Sequence, residues 1–177
     1  MRLRSALTPA LCAAAALALT GTAAAATAGS ASTATAAPET CREKNLDVRA
    51  APGGQRNVAR ISVTNTGDRS CTVDRIPTIT FRGLDGSALP VPPSESGPYV
   101  LSGGERAYAA VRTADSSATE GRVVGSLSVA ADPSHYGVTF GAAAVGMPRG
   151  VHVWEPVTTL WQESAAAADR ALGNAPN

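Results

Sequence analysis

Short segments in which hydrophobic and polar residues alternate, separated by turn residues, make up most of the chain. One of them, Val58–Asn65, directs Ile61 and Val63 to one face. It runs into the turn Asn65-Thr66-Gly67, and Cys71 stands just past that turn, where the next extended segment begins. Alternation with a period of two indicates a half-buried strand, so we predict a β-hairpin here, pinned by a disulfide.

The same pattern recurs on both sides of this segment. The Asp85-Gly86 turn is typical of a β-hairpin and lies between Thr78–Phe81 and residues 88–91. Further alternating segments are residues 46–50, 99–101, 106–112, 123–130, 137–140 and 150–155. Many short strands with Gly, Pro and Asp turns between them indicate an all-β fold. We predict an immunoglobulin-like antiparallel β-sandwich of about eight strands, with a small barrel as the alternative.

The C-terminal stretch has a different pattern. One face at helical spacing carries Trp161, Ala165, Ala168 and Leu172, and Gly173 supplies a stop. An isolated helix of this length is marginal in water, so this Ala-rich tail either docks on the sandwich as a helix or frays. Because its face is mostly alanine, we expect it to fray.

The N-terminus has the pattern of a secretory signal peptide. A basic start at residues 1–4 precedes an apolar run of about 14 residues, and small residues with A-x-A spacing follow at residues 23–26. A membrane span needs about 20 apolar residues, so the run is too short to be one. We therefore expect a secreted, extracellular protein that does not insert into the membrane, and a leader that takes Cys12 with it.

Composition divides the chain into four parts. Residues 1–26 are the predicted signal peptide, and residues 27–38 are nearly all Ala, Thr and Ser. Such a composition buries little surface, so we expect a flexible linker. Residues 39–161 are long enough for one sandwich domain with its own core, and residues 162–177 form the Ala-rich tail.

Charge narrows the choice of partner. The chain has fifteen Lys and Arg residues, and because Arg2 and Arg4 leave with the leader, thirteen remain against fourteen Asp and Glu. No basic run is longer than a pair. A nearly neutral surface makes nucleic acid and anionic membranes poor partners. We expect a monomer that binds an extracellular protein or a cell-wall component.

Cys41 and Cys71 form an even pair in the exported part of the chain. An oxidising compartment makes a disulfide the default for such a pair. Their spacing fits neither a C-x-x-C redox motif nor a zinc pattern, so a structural bridge is favoured. In the chain-entropy model, a loop of about 30 residues stabilises the fold by about 3–4 kcal/mol.

Several short motifs succeed one another between Cys41 and Val157. They are the Asn65-Thr66-Gly67 turn, Ser70-Cys71-Thr72-Val73, Ile76-Pro77, the Asp85-Gly86 turn, Leu101-Ser102-Gly103-Gly104, Ala107-Tyr108-Ala109 and Glu155-Pro156-Val157. Together with a cysteine that follows an Ala/Thr/Ser linker, they resemble an actinobacterial secreted family catalogued only as a domain of unknown function. The resemblance implies an exported or lipid-anchored sandwich and assigns no activity.

The chain departs from that family in one respect. Members often have a second cysteine pair, at positions where this chain has Glu120-Gly121 and Met147-Pro148-Arg149-Gly150. The resemblance therefore implies that a second disulfide is missing. We expect a less rigid C-terminal half, in keeping with the Ala- and Gly-rich connection at residues 141–146.

The sequence contains no clear catalytic constellation. It has no Gly-x-Ser-x-Gly motif, no expected free cysteine, and no carboxylate cluster resembling a calcium loop or a glycosidase pair. Asp132 stands three residues before His135, as in half of a metal or proton-transfer site, but an exposed turn explains the same residues. We predict a non-enzymatic protein without cofactor or metal.

The last predicted strand offers a first candidate binding surface. His152 and Trp154 project from one of its faces, and Val151 and Val153 from the other. An exposed tryptophan beside a histidine is suited to stacking on a sugar ring. Packing of this tryptophan between the sheets explains the same pattern and is the favoured interpretation.

The loop at residues 90–98 offers a second candidate. Its candidate binding residues are Pro90, Pro92, Pro93, Glu95 and Pro98. Prolines restrict the loop to a few extended conformations, so it loses little entropy on binding a partner. Protection of a sheet edge, together with resistance to proteases, is the favoured alternative.

Three hypotheses about function follow. The leading one is a secreted, non-enzymatic binding or envelope-associated module whose ligand is unknown. The second is an inhibitor of an extracellular hydrolase, which would insert residues 90–98 into the enzyme's cleft. The third is a hydrolase of unrecognised type that uses His135 or His152.

Overall fold

The computed structural model describes residues 38–173 of the chain. The predicted signal peptide, nearly all of the predicted linker, and residues 174–177 of the tail lie outside the described residues, and the domain boundaries stay predictions. No helix within residues 38–173 has both the length and the apolar character that crossing a bilayer requires.

Twelve strands and one α-helix succeed one another in the described part of the chain. A short 3-10 helix at Glu43–Asn45 comes first. The strands are β1 Leu46–Pro52, β2 Val58–Asn65, β3 Cys71–Asp74, β4 Thr78–Phe81, β5 Leu89–Val91, β6 Pro98–Leu101, β7 Arg106–Arg112, β8 Arg122–Val124, β9 Ser126–Ala130, β10 Val138–Gly141, β11 Val151–Val153 and β12 Val157–Thr159, and the helix is α1 Ala165–Gly173. The predicted all-β class with a short C-terminal helix is confirmed.

The strands form one large sheet and three smaller ones. The five-stranded sheet has the order β1-β2-β7-β12-β5, and a three-stranded sheet has the order β10-β9-β4. Two-stranded pairs join β11 with β8 and β3 with β6. Of the strand pairs among residues 38–173, only β5 with β12 is parallel. Twelve strands replace the predicted eight partly because Gly125 divides residues 123–130 into β8 and β9, and because β12 was not predicted.

The core lies between the five-stranded sheet and the smaller sheets. From the large sheet, the buried residues that alternate inward are Ala59, Ile61 and Val63 in β2 and Ala107, Ala109 and Val111 in β7. Across the core, they share one hydrophobic cluster with Ile79 and Phe81 in β4 and Leu127 and Val129 in β9. The period-two pattern in the sequence thus becomes the inner face of a layered β structure.

The predicted hairpin after β2 is wrong. β2 lies between β1 and β7, whereas β3 pairs with β6, so these consecutive strands belong to different sheets. The side chain of Asn65 is only 1% exposed and its Nδ2 donates to the carbonyls of Arg69 and Leu101, at 2.8 and 3.1 Å. Because these bonds hold the loop against the β6 end of the other sheet, the chain crosses the core instead of folding back on β2.

The predicted hairpin at Asp85-Gly86 is reduced to a single antiparallel bridge, between Thr80 and Ser87. β4 pairs with β9, and β5 pairs with β12, so the two strands do not form a ladder with each other. Gly86 has a φ of +86° and lets the chain reverse, and Ala88 donates its backbone N–H to the carbonyl of Ile79 at 2.9 Å. The turn is therefore present, but the strand that follows it leaves for the other sheet.

The predicted disulfide is confirmed, since Cys41 and Cys71 are bonded to each other. Backbone hydrogen bonds reinforce the link: Cys41 donates to the carbonyl of Thr72 at 2.7 Å, and Thr72 donates to the carbonyl of Glu39 at 2.9 Å. The bridge thereby fastens the segment before β1 to β3.

The C-terminal helix docks, so the expectation that it frays is wrong. Ala168 and Leu172 are buried on the outer face of the five-stranded sheet, in a small cluster with Val58 and Ala110. Val58 and Ala110 lie at even-numbered positions of β2 and β7, whereas the residues that face the core lie at odd-numbered positions. The sheet therefore offers apolar surface on both faces, and α1 covers the second one.

The connection at residues 141–146 is anchored in the core although a second disulfide is missing. Val145 is fully buried, and Ala142 is buried with its N–H donating to the carbonyl of Gly125 at 2.9 Å. Met147, which follows, is buried as well. The lower rigidity expected for this half of the domain stays a prediction.

Candidate functional site

The face pattern predicted for the last strand is present, but the favoured interpretation of Trp154 is wrong. Val151 and Val153 are buried, whereas Trp154 is 40% exposed. The chain leaves β11 after Val153 and turns at Glu155, whose φ is +46°, so Trp154 stays outside the core. The buried tryptophan is Trp161, which is 4% exposed.

β8 and β11 bring a second exposed apolar residue next to this surface. Val123 lies opposite His152 in the antiparallel register, and it is 65% exposed. The Nε2 of His152 lies 2.6 Å from the carbonyl oxygen of Glu120. Because a carbonyl oxygen can only accept, Nε2 carries the hydrogen and donates it. The Nδ1 of His152 is then the ring nitrogen that remains for a ligand.

Gly121 seats the histidine and the tryptophan side by side. Its φ is +120°, and a Cβ at this position would lie 2.8 Å from the Nε2 of His152 and 3.1 Å from the Cβ of Trp154. Only glycine combines this backbone conformation with such a close approach. The segment before β8 therefore positions both side chains on one edge of the domain.

A cleft of about 550 Å³ adjoins these residues. We call it the β8–β11 cleft. It is lined by residues from four separate parts of the chain: Arg56 and Asn57 before β2, Ser116 and Ala118 after β7, residues 146–150 before β11, and Val123 and His152 from the strands themselves. Its volume falls in the range of about 300–1,000 Å³ that is usual for ligand pockets.

Thr113 connects the two ends of this site through the backbone. Its N–H and its Oγ1 donate to the carbonyl of Asn57, at 2.8 and 3.3 Å, and its own carbonyl accepts from the N–H of Trp154 at 2.9 Å. Thr113 is fully buried. Asn57, which lines the cleft, is held at a φ of +59°. Hydrogen bonds through the buried Thr113 thus fix the backbone of Trp154 relative to Asn57 of the cleft lining.

The lining of the cleft is electropositive. Arg56 and Arg149 both line it, and no carboxylate does. The ion pairs seen within residues 38–173 join Arg49 to Asp47 and Arg60 to Asp169, so they involve neither cleft arginine. The two guanidinium groups therefore remain available to an anion in solution.

Asp115, the acidic residue nearest in sequence to the cleft residue Ser116, accepts hydrogen bonds within its own turn. Its carboxylate accepts from the Oγ and the N–H of Ser117, at 2.6 and 2.9 Å, and these hydrogen bonds lower the pKa of Asp115. Asp115 itself does not line the cleft. Its negative charge therefore lies outside the cleft lining, and its hydrogen bonds are made within the loop after β7.

The predicted proline loop lies in a different place. Pro92, Pro93, Glu95 and Pro98 are exposed, and Pro90 is half-buried within β5. The loop borders a separate depression of about 260 Å³, and none of its residues lines the β8–β11 cleft. The structure therefore does not combine the two groups of predicted binding residues into one site.

Both ends of the proline loop are held. β5 pairs with β12 and β6 pairs with β3, and the N–H of Arg75 donates to the carbonyl of Gly97 at 2.7 Å. The Arg75 guanidinium also packs against Gly97, where a Cβ would lie 2.7 Å from it. The loop is thus a short exposed segment between two fixed ends.

The turn with Asp132 and His135 is engaged in structural hydrogen bonds. Burial raises the pKa of Asp132, but hydrogen bonds from the side chain and backbone of Ser134 outweigh it and lower that pKa. The Nε2 of His135 donates to the carbonyl of Cys41 at 2.9 Å. Residues 38–173 contain no group of three or more His, Cys, Asp or Glu side chains that could bind a metal ion.

Sequence reasoning missed the residues that give the cleft its charge. Arg56 and Asn57 come after a Gly-Gly pair in the β1–β2 connection. Arg149 was considered only as part of residues 147–150, where members of the family often have a cysteine. These residues are nearly 100 positions apart, and no local pattern links them. Only the packing of three connections around β8 and β11 brings them together.

A family model described as a domain of unknown function (DUF4232) matches residues 41–162. The chain belongs to this family. The DUF4232 match begins at the first cysteine of the disulfide and ends after β12, so it contains the whole β8–β11 cleft and excludes α1. No curated protein matches the chain, and no solved structure does. Membership in DUF4232 assigns no activity, so the functional argument depends on the site.

Proposed function

We propose that this protein is an exported, non-enzymatic binding module and that its ligand binds in the β8–β11 cleft. The observation that carries the proposal is a concave surface lined by two arginines, by the exposed Val123 and by His152, with the exposed Trp154 held beside His152. Large apolar side chains on the surface, next to convergent polar groups, are typical of binding sites.

Export is part of the proposal. It is supported by the signal-peptide pattern at residues 1–26 and by the Cys41–Cys71 disulfide, which suits an oxidising compartment. The sequence motifs add an actinobacterial origin and an immunoglobulin-like arrangement of the sandwich. The mass of the protein recovered from culture medium tests export, because a processed chain lacks about 26 residues.

A capture experiment tests the site. The protein is immobilised and exposed to envelope and culture fractions of the producing organism, beside a variant with His152→Ala and Trp154→Ala. A variant in which residues 92–96 are replaced by Gly and Ser serves as the matched control, because it alters a mostly exposed loop that does not line the cleft. We expect capture by the wild type and by the control, and loss in the His152/Trp154 variant. Capture that survives in that variant contradicts the proposal.

A second function, inhibition of an extracellular hydrolase, is supported by the proline loop. Its exposed residues lie between two strands that are paired at both ends, as suits a segment that enters an enzyme's cleft without losing much entropy. The test is a titration of secreted proteases and glycosidases with the protein. Inhibition at a near-stoichiometric ratio that disappears in the loop variant supports this function, and unchanged hydrolysis at all ratios contradicts it.

A further inference from the structure

We infer that the ligand of the β8–β11 cleft is an acidic saccharide: a sugar ring stacks on Trp154, and its carboxylate or phosphate group binds Arg56 and Arg149. This inference rests on the proposed function and adds the chemical class of the ligand. It follows from two neighbouring surfaces: the cleft lined by arginines, and the exposed ring of Trp154.

The anionic half of the ligand is indicated by the charge of the lining. Arg56, from the β1–β2 connection, and Arg149, from the β10–β11 connection, line the same cleft, and no carboxylate lies among the lining residues. A planar guanidinium binds carboxylate and phosphate oxygens through two parallel hydrogen bonds, and these charge-assisted bonds are among the strongest in proteins. The amide of Asn57 lines the same cleft and is an additional donor.

The saccharide half is indicated by Trp154 and its neighbours. Trp154 is exposed, and Gly121 holds it beside His152, which lines the cleft. An aromatic ring with one open face offers a large apolar surface that suits the apolar face of a sugar. Because Nε2 of His152 is committed to Glu120, its Nδ1 is available to a sugar hydroxyl.

A purely anionic polymer fits less well. The exported chain is nearly neutral, with thirteen basic against fourteen acidic residues, so it lacks the extended positive surface that binds nucleic acid. Two arginines instead line one cleft, and the exposed Trp154 lies beside His152 of the same lining. A ligand that presents a single charge beside a ring matches this arrangement better than a continuous run of phosphates.

Binding of defined polymers to the full chain tests the inference. The probes are polygalacturonate, which carries carboxylates, a glycosylated poly(glycerol phosphate), which carries phosphates, neutral dextran, and inorganic polyphosphate, which has no sugar. We expect binding to one or both charged sugar polymers, weaker binding as salt screens the charges, and little binding to dextran. The two charged sugar polymers decide whether the anion is a carboxylate or a phosphate.

Three variants separate the contribution of the cleft arginines from that of Trp154. Arg56→Ala with Arg149→Ala should weaken binding of the charged sugar polymers at least about tenfold, which corresponds to about 1.4 kcal/mol. The control, Arg82→Ala with Arg170→Ala, removes the same charge from exposed residues outside the cleft and should leave binding unchanged. Trp154→Ala should weaken binding of both sugar polymers but not of polyphosphate.

The inference is overturned if dextran binds as tightly as the charged polymers, if polyphosphate binds more tightly than either, or if no charged sugar polymer binds. It is also overturned if both arginine variants behave alike. Failure of this ligand class is distinguishable from failure of the site, because capture of envelope material that still depends on His152 and Trp154 would leave the site in place. Unfolding curves confirm that each variant is folded.

Discussion

Asn65 is the polar residue on which the crossing between the sheets depends. Its buried Nδ2 donates to the carbonyls of Arg69, Leu101 and Ser102, and its Oδ1 accepts from the N–H of Gly67 at 3.0 Å. Truncation of a side chain that satisfies buried backbone groups leaves those groups without partners.

We predict that Asn65→Ala lowers the free energy of unfolding by about 2–3 kcal/mol, measured by urea denaturation. Thr66→Ala is the control: its exposed hydroxyl also donates to a backbone carbonyl, that of Asn45, at 2.9 Å. Since water replaces an exposed partner, this variant should cost less than about 1 kcal/mol. Equal losses in the two variants would show that the Asn65 hydrogen bonds do not hold the crossing.

Asp132 should contribute to acid sensitivity. Although burial raises its pKa, the hydrogen bonds from Ser134 outweigh that effect, so the pKa is lower in the folded than in the unfolded protein. Its contribution to stability is therefore complete above the ordinary carboxyl pKa of about 3.9 and is lost as the pH falls through the lower, folded value.

We predict that Asp132→Asn flattens the fall in stability between about pH 5 and about pH 2. The measurement is the free energy of unfolding at a series of pH values for wild type and variant. Ser134→Ala should reduce the same dependence, because it removes one of the bonds that lower the pKa. A variant curve that runs parallel to the wild-type curve would exclude Asp132 from the acid response.

Trp154 and Trp161 show what residue patterns predict and what they leave open. Alternation correctly placed Trp154 on the face of His152, because the period of a strand is fixed by its backbone. It did not tell which tryptophan enters the core, because burial depends on where the strand ends. The turn comes at Glu155, which has a left-handed backbone conformation. Because this residue is not a glycine, the sequence did not indicate the turn.

At the scale of elements, the disulfide is the covalent link between the N-terminal segment and β3. We predict that Cys41→Ala with Cys71→Ala lowers the free energy of unfolding by about 3–4 kcal/mol, because the bridge closes a loop with a separation of 30 residues in the unfolded chain. Reduction of the wild type should give the same loss. A loss below about 1 kcal/mol would mean that the hydrogen bonds around Thr72 suffice to hold this segment.

The docked helix offers a comparison between apolar burial and an ion pair. Leu172 is buried against the five-stranded sheet, whereas the pair of Arg60 and Asp169 is about one third or more exposed on both sides. Exposed pairs are screened by water and contribute little.

We therefore predict a loss of about 2 kcal/mol for Leu172→Ala and of less than about 1 kcal/mol for Asp169→Asn. Urea denaturation gives the two values, and amide hydrogen exchange in α1 shows whether the helix has detached. A larger loss for Asp169→Asn would mean that the ion pair, and not apolar packing, holds α1 in place.

Local signals predicted the elements better than their pairing. Alternation located most strands, and the glycine turn at residue 86 does reverse the chain, whereas after Asn65 the chain crosses to another sheet. The predicted pairings of β2 with β3 and of β4 with β5 were wrong because turn chemistry does not determine which sheet the next strand joins. In this fold β3 and β5 both pair with a distant strand. The alanine face of α1 suggested fraying because the complementary sheet surface could not be seen in the sequence.

At the scale of the whole molecule, the sheets form a framework on which connections converge. The class of fold was predictable, since short strands with turn residues have few other solutions. The β8–β11 cleft was not predictable, because Arg56, Arg149 and Val123 come from distant parts of the chain and share no motif. Of the residues near this cleft, His152 and Trp154 were named as candidates from the sequence, because they are two positions apart in one alternating segment.

Binding of a ligand at the β8–β11 cleft is the proposal on which the functional predictions depend. The most direct test is to titrate soluble cell-wall fragments of the producing organism into isotope-labelled protein and to map the amide shifts. We expect shifts at Gly121, Val123 and His152 and at the indole of Trp154, with the signals of residues 92–97 unchanged. Shifts confined to residues 92–97, or a site elsewhere on the domain, would contradict it.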